Sequence, residues 1–170
     1  SNNLTIIAVA SHAIYQCVKS IDYKNCKFLL LSKGFDVNSG LLPSEVLTNK
    51  FNINIKNIAV LSGPNHAEDI LINNPTTSIV SCKDDIFCKK LQTLFSSSTF
   101  RIYTNNDIIG VQIGAAIKNV IAIAIGLCDG LNLGDNAKAS IVSRGMNEIV
   151  ELSKIYKIEI LTLYGLSGLG

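Results

Sequence analysis

The sequence predicts an α/β fold, in which a mostly parallel sheet covered by helices is followed by an all-helical region. Two patterns indicate this fold class. As far as about Asn105, short apolar runs alternate with helix-like segments, which is typical of layered α/β domains. From Asp107 onward, helix-like segments follow one another with Gly and Asn between them. We therefore expect two domain portions, one over residues 1–105 and one over residues 106–170.

The first portion is expected to contain an alternating series of strands and helices. The predicted strands are Leu4–Ala10, Phe28–Lys33, Ile58–Ser62, Ser78–Ser81 and Phe100–Thr104. The predicted helices lie between them, at Ser11–Ile21, Leu42–Phe51, Asn65–Asn73 and Lys83–Ser96. Parallel strands need long crossover connections, and these helices supply them.

Long helices are predicted in the second portion. The first, Ile108–Leu127, is the most apolar stretch of the chain and would extend about 30 Å, enough to span a membrane. It contains Gln112, Lys118 and Asn119, and a lysine near the middle of a spanning helix is costly. We therefore expect a buried core helix and no membrane span. The next helix, Asn136–Lys157, is amphipathic and is expected to cover the first with one apolar face.

The composition excludes several kinds of partner. A chain of 170 residues that is 48% hydrophobic can bury a sizeable core. Its 15 basic and 13 acidic residues give a net charge of +2 without a basic stripe, so nucleic acid is not expected as a partner. Five scattered cysteines and only two histidines predict no metal site, and free thiols indicate a reducing cytoplasm. No export signal is recognised, and both ends look like cuts.

Candidate ligand-binding residues follow the predicted strands, because ligands of open parallel sheets bind beyond the carboxyl ends of the strands. In the third such segment, Asn65 and Glu68 have the spacing of a helix capping box, whose free N–H groups would favour an anionic ligand. Each feature also has an ordinary alternative: a capped connector, a solvated lysine or an N-cap serine. The segments that follow the first three predicted strands are Ser11-His12, Ser32–Phe35 and Ser62–Glu68.

Lys118 is the strongest single candidate for chemistry. Its helix neighbours are almost all apolar, so its amine has little polar surface to reach, although a structural lysine could extend outward along its stem. Desolvation disfavours the charged amine, so its pKa is expected to fall toward a range useful for proton exchange. The residues expected to converge on one crevice between the two portions are Lys33, Asn65, His66 and Lys118.

A series of motifs carries a family resemblance. The motifs are Ser32-Lys33-Gly34, Ser62–Glu68, Gly110–Ile123, Asp129–Ala137, Ser143-Arg144-Gly145 and Gly165–Gly170. In order and spacing they resemble bacterial NAD(P)-dependent glycerol-3-phosphate dehydrogenase over essentially the whole chain. The most specific part is the helix with Lys118 and Asn119, followed by Asp129–Gly134. The resemblance implies a partial Rossmann-like dinucleotide-binding domain followed by part of an all-α C-terminal domain, with the active site between them.

The resemblance also implies a reaction and site residues. It implies an oxidoreductase that interconverts dihydroxyacetone phosphate and sn-glycerol 3-phosphate with NAD(P)H and supplies glycerol 3-phosphate for phospholipid synthesis. Lys118 would be the catalytic proton donor and acceptor and a substrate contact, and Lys33 would contact both substrate and cofactor. Gly63 and Asn65 would contact substrate, although the family often has Ser or Thr in place of Asn65. Ala67 would contact the cofactor.

The resemblance also leaves alternatives open. The family's Gly-rich turn would precede this chain, and an aspartate and the substrate-phosphate residues would follow Gly170, so we expect this chain alone to be inactive. One alternative is another two-domain dehydrogenase of the same plan, acting on 2-hydroxy or 3-hydroxy acids. Another is a non-catalytic binding module that keeps the fold. The expected partner is a small-molecule substrate, and a homodimer is left open.

Overall fold

The computed structural model describes residues 3–168, which fold into one sheet followed by a group of helices. The strands are β1 (Asn3–Ile7), β2 (Cys26–Leu30), β3 (Ile58–Ser62), β4 (Thr76–Cys82) and β5 (Phe100–Asn105). The α-helices are α1 (Ile14–Lys19), α2 (Pro43–Phe51), α3 (Ala67–Leu71), α4 (Asp85–Phe95), α5 (Ile108–Gly130), α6 (Gly134–Tyr156) and α7 (Ile160–Tyr164). The predicted α/β class, with sheet first and helices after, is confirmed.

The sheet is mostly parallel, as predicted, and has the strand order β1-β2-β3-β4-β5. β1, β2 and β3 are parallel neighbours, and β5 is parallel to β4. β4 runs antiparallel to β3, with Val60 opposite Ser81. The carboxyl ends of β1–β3 therefore lie at one edge of the sheet, and those of β4 and β5 lie at the opposite edge. Apolar runs do not predict this reversal, because a strand buried on both faces has the same pattern in either direction.

Two predicted strands end earlier than expected, β1 at Ile7 and β2 at Leu30. Beyond these points regular strand pairing stops after one more bond, from the Leu31 N–H to the Ile7 carbonyl oxygen at 2.9 Å, and side chains then bond to the backbone. The Ser32 hydroxyl, for example, donates to the carbonyl oxygen of Val9 at 2.5 Å. The predicted first helix is also shorter, because it begins as a 3-10 turn, Ser11–Ala13, before α1. The segments after β1 and β2 are therefore loops that lie at the edge of the sheet.

Residues 3–168 form two hydrophobic clusters, and α5 contributes to both. The larger cluster lies around the sheet and includes Ile108 and Val111 from the first turn of α5. The smaller cluster joins α5 to the other helices of the second portion and to Leu42, which precedes α2; its buried residues are Leu42, Ile113, Ile149, Ile158 and Leu163. One continuous helix thus connects the core of the sheet to the core of the helical portion.

A buried hydrogen-bond group fixes α5 against α2. The Gln112 amide oxygen accepts from the backbone N–H of Ser44 at 3.0 Å, and its amide nitrogen donates to the Ser44 hydroxyl at 2.7 Å and to the Ile108 carbonyl at 3.0 Å. Both Gln112 and Ser44 are buried, so these bonds satisfy groups that water cannot reach. Gln112, one of the polar residues inside this apolar helix, thus bonds α5 to α2.

α5 is only in part the buried core helix that the sequence predicts. Gly110–Ala115 is buried, whereas Val120, Ile123 and Leu127 are 66%, 66% and 62% exposed. α6 covers only one face of α5, so apolar residues on other faces of this helix stay exposed. By length and composition α5 is also apolar enough to cross a membrane, with a mean hydropathy of 2.0. Its first half contacts β3 and α7, however, as a core helix does.

Candidate functional site

A cavity of about 170 Å³ lies at the edge of the sheet where the parallel strands β2 and β3 end. Three elements supply its walls: the loop after β2, the turn after β3 and the middle of α5. The lining residues are Lys33, Gly63, Pro64, Asn65, His66, Lys118 and Asn119. The structure therefore brings together the four residues that the sequence predicted to converge, although they are distant along the chain.

The loop after β2 is held in place by hydroxyl groups from its surroundings. The Ser11 hydroxyl donates to the carbonyl oxygen of Phe35 at 2.8 Å, and Ser32 bonds back to Val9. These bonds fix the segment that carries Lys33 against the segment after β1. Ser11 itself is not among the residues that line the cavity, and neither is His12. Ser11 is not an N-cap either, because the N-cap residue of the turn Ser11–Ala13 is Ala10; its hydroxyl instead links two loops.

The turn after β3 depends on glycine at position 63. Gly63 has a φ of +140°, a conformation that residues with a side chain rarely adopt. A Cβ atom there would lie 3.0 Å from the Cα of Ser78 and 3.1 Å from the carbonyl oxygen of Thr77. The missing side chain thus lets the turn approach the backbone of β4 closely, and the residues that follow can turn toward α5.

Gly63→Ala is expected to lower the free energy of unfolding by about 1–3 kcal/mol, because the backbone conformation becomes strained and the new methyl group meets β4. Gly126→Ala is the matched control, since a Cβ in that part of α5 would meet nothing within 4 Å. That change should stabilise the protein by roughly 0.5–1 kcal/mol through helix propensity. Urea unfolding measures both, and equal effects would contradict the close approach at Gly63.

The predicted capping box at Asn65 and Glu68 is wrong. α3 begins only at Ala67, its N-cap residue is His66, and no side chain there bonds to the first turn. The Asn65 amide instead donates to the Ser78 hydroxyl at 3.2 Å. Because the turn at Gly63 is held against β4, the helix starts later than the capping pattern predicts. The amide group of Asn65 thereby connects the cavity wall to β4.

Lys118 lies at the boundary between the buried and the exposed halves of α5 and is itself half-buried. Burial lowers the pKa of its amine, and the positive charge of nearby Lys33 lowers that pKa further. Both causes disfavour the protonated amine, so a neutral amine exists at a lower pH than for a lysine in water. A partly desolvated lysine with a second cation beside it can exchange protons with a bound group and attract an anionic one.

Lys33→Ala should raise the pKa of Lys118, because it removes a neighbouring positive charge while burial remains. At a given pH, a smaller fraction of the Lys118 amine should then be neutral, so its acylation by trace acetic anhydride should need a higher pH. Mass spectrometry quantifies the acylated Lys118. Lys56→Ala changes an exposed lysine in the 3-10 turn Ile55–Asn57 and serves as the control. An identical pH profile of Lys118 labelling in both variants would show that Lys33 does not act on it.

A second, more apolar cavity of about 370 Å³ shares part of this wall. Its polar side is lined by His66, Lys118 and Asn119, which also line the first cavity. The other lining residues come from the facing sides of α5 and α6 and from one turn. Those other residues are Ile121, Ala122, Ile125, Val142, Met146 and Gly168. Val142 and Met146 lie in the predicted amphipathic helix Asn136–Lys157, for which only packing against the first helix was expected, because apolar spacing on a helix carries no signal for a cavity wall.

The structure gives no cavity contact for Ala67, the predicted cofactor contact. Ala67 is exposed as the first residue of α3, and it is not among the residues lining either cavity. Within residues 3–168, no group of three or more His, Cys, Asp or Glu side chains is arranged to hold a metal ion. Leu169 and Gly170, at the end of the last motif, lie outside the described residues.

Comparison with protein-family models assigns both parts of the chain to one kind of enzyme. Residues 1–88 match a model described as NAD-dependent glycerol-3-phosphate dehydrogenase N-terminus, and residues 107–170 match the corresponding C-terminus model. Together the two matches cover most of the sequence, in the order in which the two portions occur in the fold.

Individual relatives carry the same description. Glycerol-3-phosphate dehydrogenase (NAD(P)+) of Lysinibacillus sphaericus is 41% identical over 169 residues, covering 97% of this chain and 50% of the relative. That of Bacillus subtilis is 41% identical over 172 residues, covering 99% and 50%. The crystal structure of glycerol-3-phosphate dehydrogenase from Coxiella burnetii superposes with a TM-score of 0.90 at 33% identity, covering 99% and 52%. The chain thus spans about half the length of the relatives it matches.

Proposed function

The chain belongs to the NAD-dependent glycerol-3-phosphate dehydrogenase family, and from this membership we propose that the protein interconverts dihydroxyacetone phosphate and sn-glycerol 3-phosphate with NAD(P)H. The observation that carries the proposal is the cavity at the carboxyl ends of β2 and β3, where Lys33 and Lys118 meet. The product would serve phospholipid synthesis in the cytoplasm.

The residues of the site fit both a dinucleotide and a phosphorylated substrate. The cavity lies beyond the carboxyl ends of parallel strands, where open α/β sheets bind nucleotides. Its two ammonium groups are close enough that one lowers the pKa of the other, so an anionic ligand would relieve their repulsion. Neutral amide groups of Asn65 and Asn119 complete the wall and can bond to hydroxyl or carbonyl oxygens.

Each residue has a defined part in the proposed reaction. NAD(P)H, when bound, supplies the hydride for the carbonyl carbon of dihydroxyacetone phosphate. Lys118 then donates a proton to the carbonyl oxygen as it becomes a hydroxyl, and it accepts that proton in the reverse direction. Its lowered pKa assists the reverse direction, because the neutral amine that accepts a proton forms at a lower pH than in a lysine in water. Lys33 holds substrate and cofactor together by its charge, Gly63 and Asn65 contact the substrate, and Ala67 contacts the cofactor.

The proposal includes a division of labour along the chain. Residues 1–105 would be part of the cofactor-binding domain, and residues 106–170 would be part of the substrate domain. The change from sheet to helix between β5 and α5 supports this boundary. Lys118 reaches the cavity from the second portion, and the Gly63–His66 turn reaches it from the first. A site built from both portions would require them to stay in a fixed relative position.

The activity is best tested in a protein of the length of the relatives. A chimera in which this chain replaces the matching half of the Bacillus subtilis relative supplies the rest of such a protein. We expect NADH or NADPH to be oxidised with dihydroxyacetone phosphate, but far more slowly with unphosphorylated dihydroxyacetone or with 2-keto acids. Preference for a 2-keto acid would favour a hydroxyacid dehydrogenase. A folded chimera without turnover of any of these would contradict the proposal.

A further inference from the structure

Two cysteines lie together at the edge of the sheet opposite the candidate site. Cys82 is the last residue of β4, and Cys88 lies in the second turn of α4. Both are buried, at 0% and 3% exposed. Because β4 is antiparallel to β3, its carboxyl end points away from the cavity that holds Lys118. The proposed dehydrogenase reaction therefore has no use for either thiol.

The two thiols are close enough that each changes the pKa of the other. The Cys82 sulfur also lies 3.1 Å from the carbonyl oxygen of Asp84, and the Cys88 sulfur lies 3.4 Å from that of Val80. Buried thiols that lie close together across a strand-to-helix connection can form a disulfide bond with little backbone movement. The interaction with Cys82 lowers the pKa of Cys88, and the same interaction raises the pKa of Cys82.

A cavity gives small molecules access to one member of the pair. It has a volume of about 360 Å³ and is lined by Asp85, Cys88, Lys89, Thr104, Asn105 and Asn106. Cys88, whose thiol has the lowered pKa, is one of the residues that line this cavity, and Cys82 is not. The cavity thus lies beside the more acidic thiol of the pair.

The charged groups around the pair have opposing effects. Asp85 disfavours the Cys88 thiolate by repulsion, and Asp84 does the same to Cys82. The Asp84 carboxylate is partly neutralised by Lys27 at 3.2 Å, and the Lys89 side chain lines the same cavity as Cys88. At Cys88 the effect of Cys82 outweighs burial and the repulsion from Asp85, which leaves Cys88 as the more acidic thiol of the two.

We propose that Cys82 and Cys88 form a dithiol that hydroperoxides oxidise to an intramolecular disulfide. The Cys88 thiolate attacks one oxygen of the peroxide, the O–O bond breaks, and the leaving oxygen takes a proton to become water or an alcohol. Cys88 is then a sulfenic acid. The Cys82 thiol attacks that sulfur, the S–O bond breaks, and the departing hydroxide takes the thiol proton and leaves as water. The two thiols supply the two electrons that reduce the peroxide.

The test uses hydrogen peroxide and peptide mapping on the whole chain. Trypsin cuts after Lys56, Lys83 and Lys89, so the two cysteines fall on separate peptides, 57–83 and 84–89. After oxidation at neutral pH and blocking of the remaining thiols, we expect these two peptides to be joined by a disulfide. Cys128 is the internal control, because it is also buried, at 4% exposed, but lies in α5. Cys88 should lose its thiol at least about tenfold faster than Cys128.

Serine variants separate the two roles. In Cys82→Ser, Cys88 should still react but stop as a sulfenic acid that dimedone traps. In Cys88→Ser, Cys82 should stay reduced at the same peroxide dose. Circular dichroism melting shows whether each variant keeps its fold. If a variant does not fold, the peptide map of the wild-type protein still tests the proposal. Equal reaction rates of Cys88 and Cys128, or the absence of the joined peptides, would overturn the proposal.

Discussion

Replacing Lys118 by alanine should lower kcat by about 10²–10⁴-fold in the family-length chimera while leaving cofactor affinity nearly unchanged. This loss corresponds to roughly 3–5 kcal/mol of activation free energy, the usual worth of a general acid–base group. The physical reason is that in the proposed reaction the Lys118 amine, with its lowered pKa, acts only when the substrate oxygen gains or loses its proton. Steady-state kinetics and a cofactor titration by fluorescence measure the two quantities.

Two further variants distinguish proton transfer from charge. Lys118→Arg should not restore kcat, because a guanidinium keeps the positive charge but hardly ever releases its proton. Lys33→Ala should behave differently from either, raising KM for the substrate and weakening cofactor binding together. If Lys118→Arg retains a near-normal kcat, the amine serves only as an electrostatic anchor. The proton would then come from another group or from water.

The convergence of the site could be predicted from the sequence because it depends on a rule of topology. Parallel strands place their carboxyl ends at one edge, so residues that follow β2 and β3 must lie near each other. The lysine in an apolar helix added a second, independent signal, since burial of a charge is costly unless the site uses it. The structure adds that Lys33 and Lys118 are near enough to interact electrostatically. No spacing in the sequence could show that proximity.

The fold was predictable where local pattern decides the structure and unpredictable where packing decides it. β3 occupies the predicted residues, because a continuous apolar run bounded by a Gly-Pro turn leaves little choice. The capping box at Asn65 failed because contact with β4 delays the start of α3. The exposed half of α5 was not anticipated either, because apolar residues alone do not say which of them find a neighbour.

The helical core around α5 depends on α7, a helix of only five residues that the sequence analysis did not delimit. Leu163 in this helix is fully buried and belongs to the same cluster as Ile113 of α5. Leu163→Ala should therefore lower the free energy of unfolding by about 2–5 kcal/mol, because it removes buried methyl groups and leaves a cavity beside α5.

Leu161→Ala is the matched control, since it makes the same chemical change on the same helix at a residue that is 78% exposed. It should alter stability by no more than about 0.5 kcal/mol. Urea unfolding followed by circular dichroism compares the two variants directly. Because α5 also carries Lys118, loosening this cluster should broaden the range of positions that the amine adopts, and kcat of the Leu163→Ala chimera should fall even where the protein remains folded. Similar unfolding midpoints for both variants would mean that α7 does not hold the helical core together.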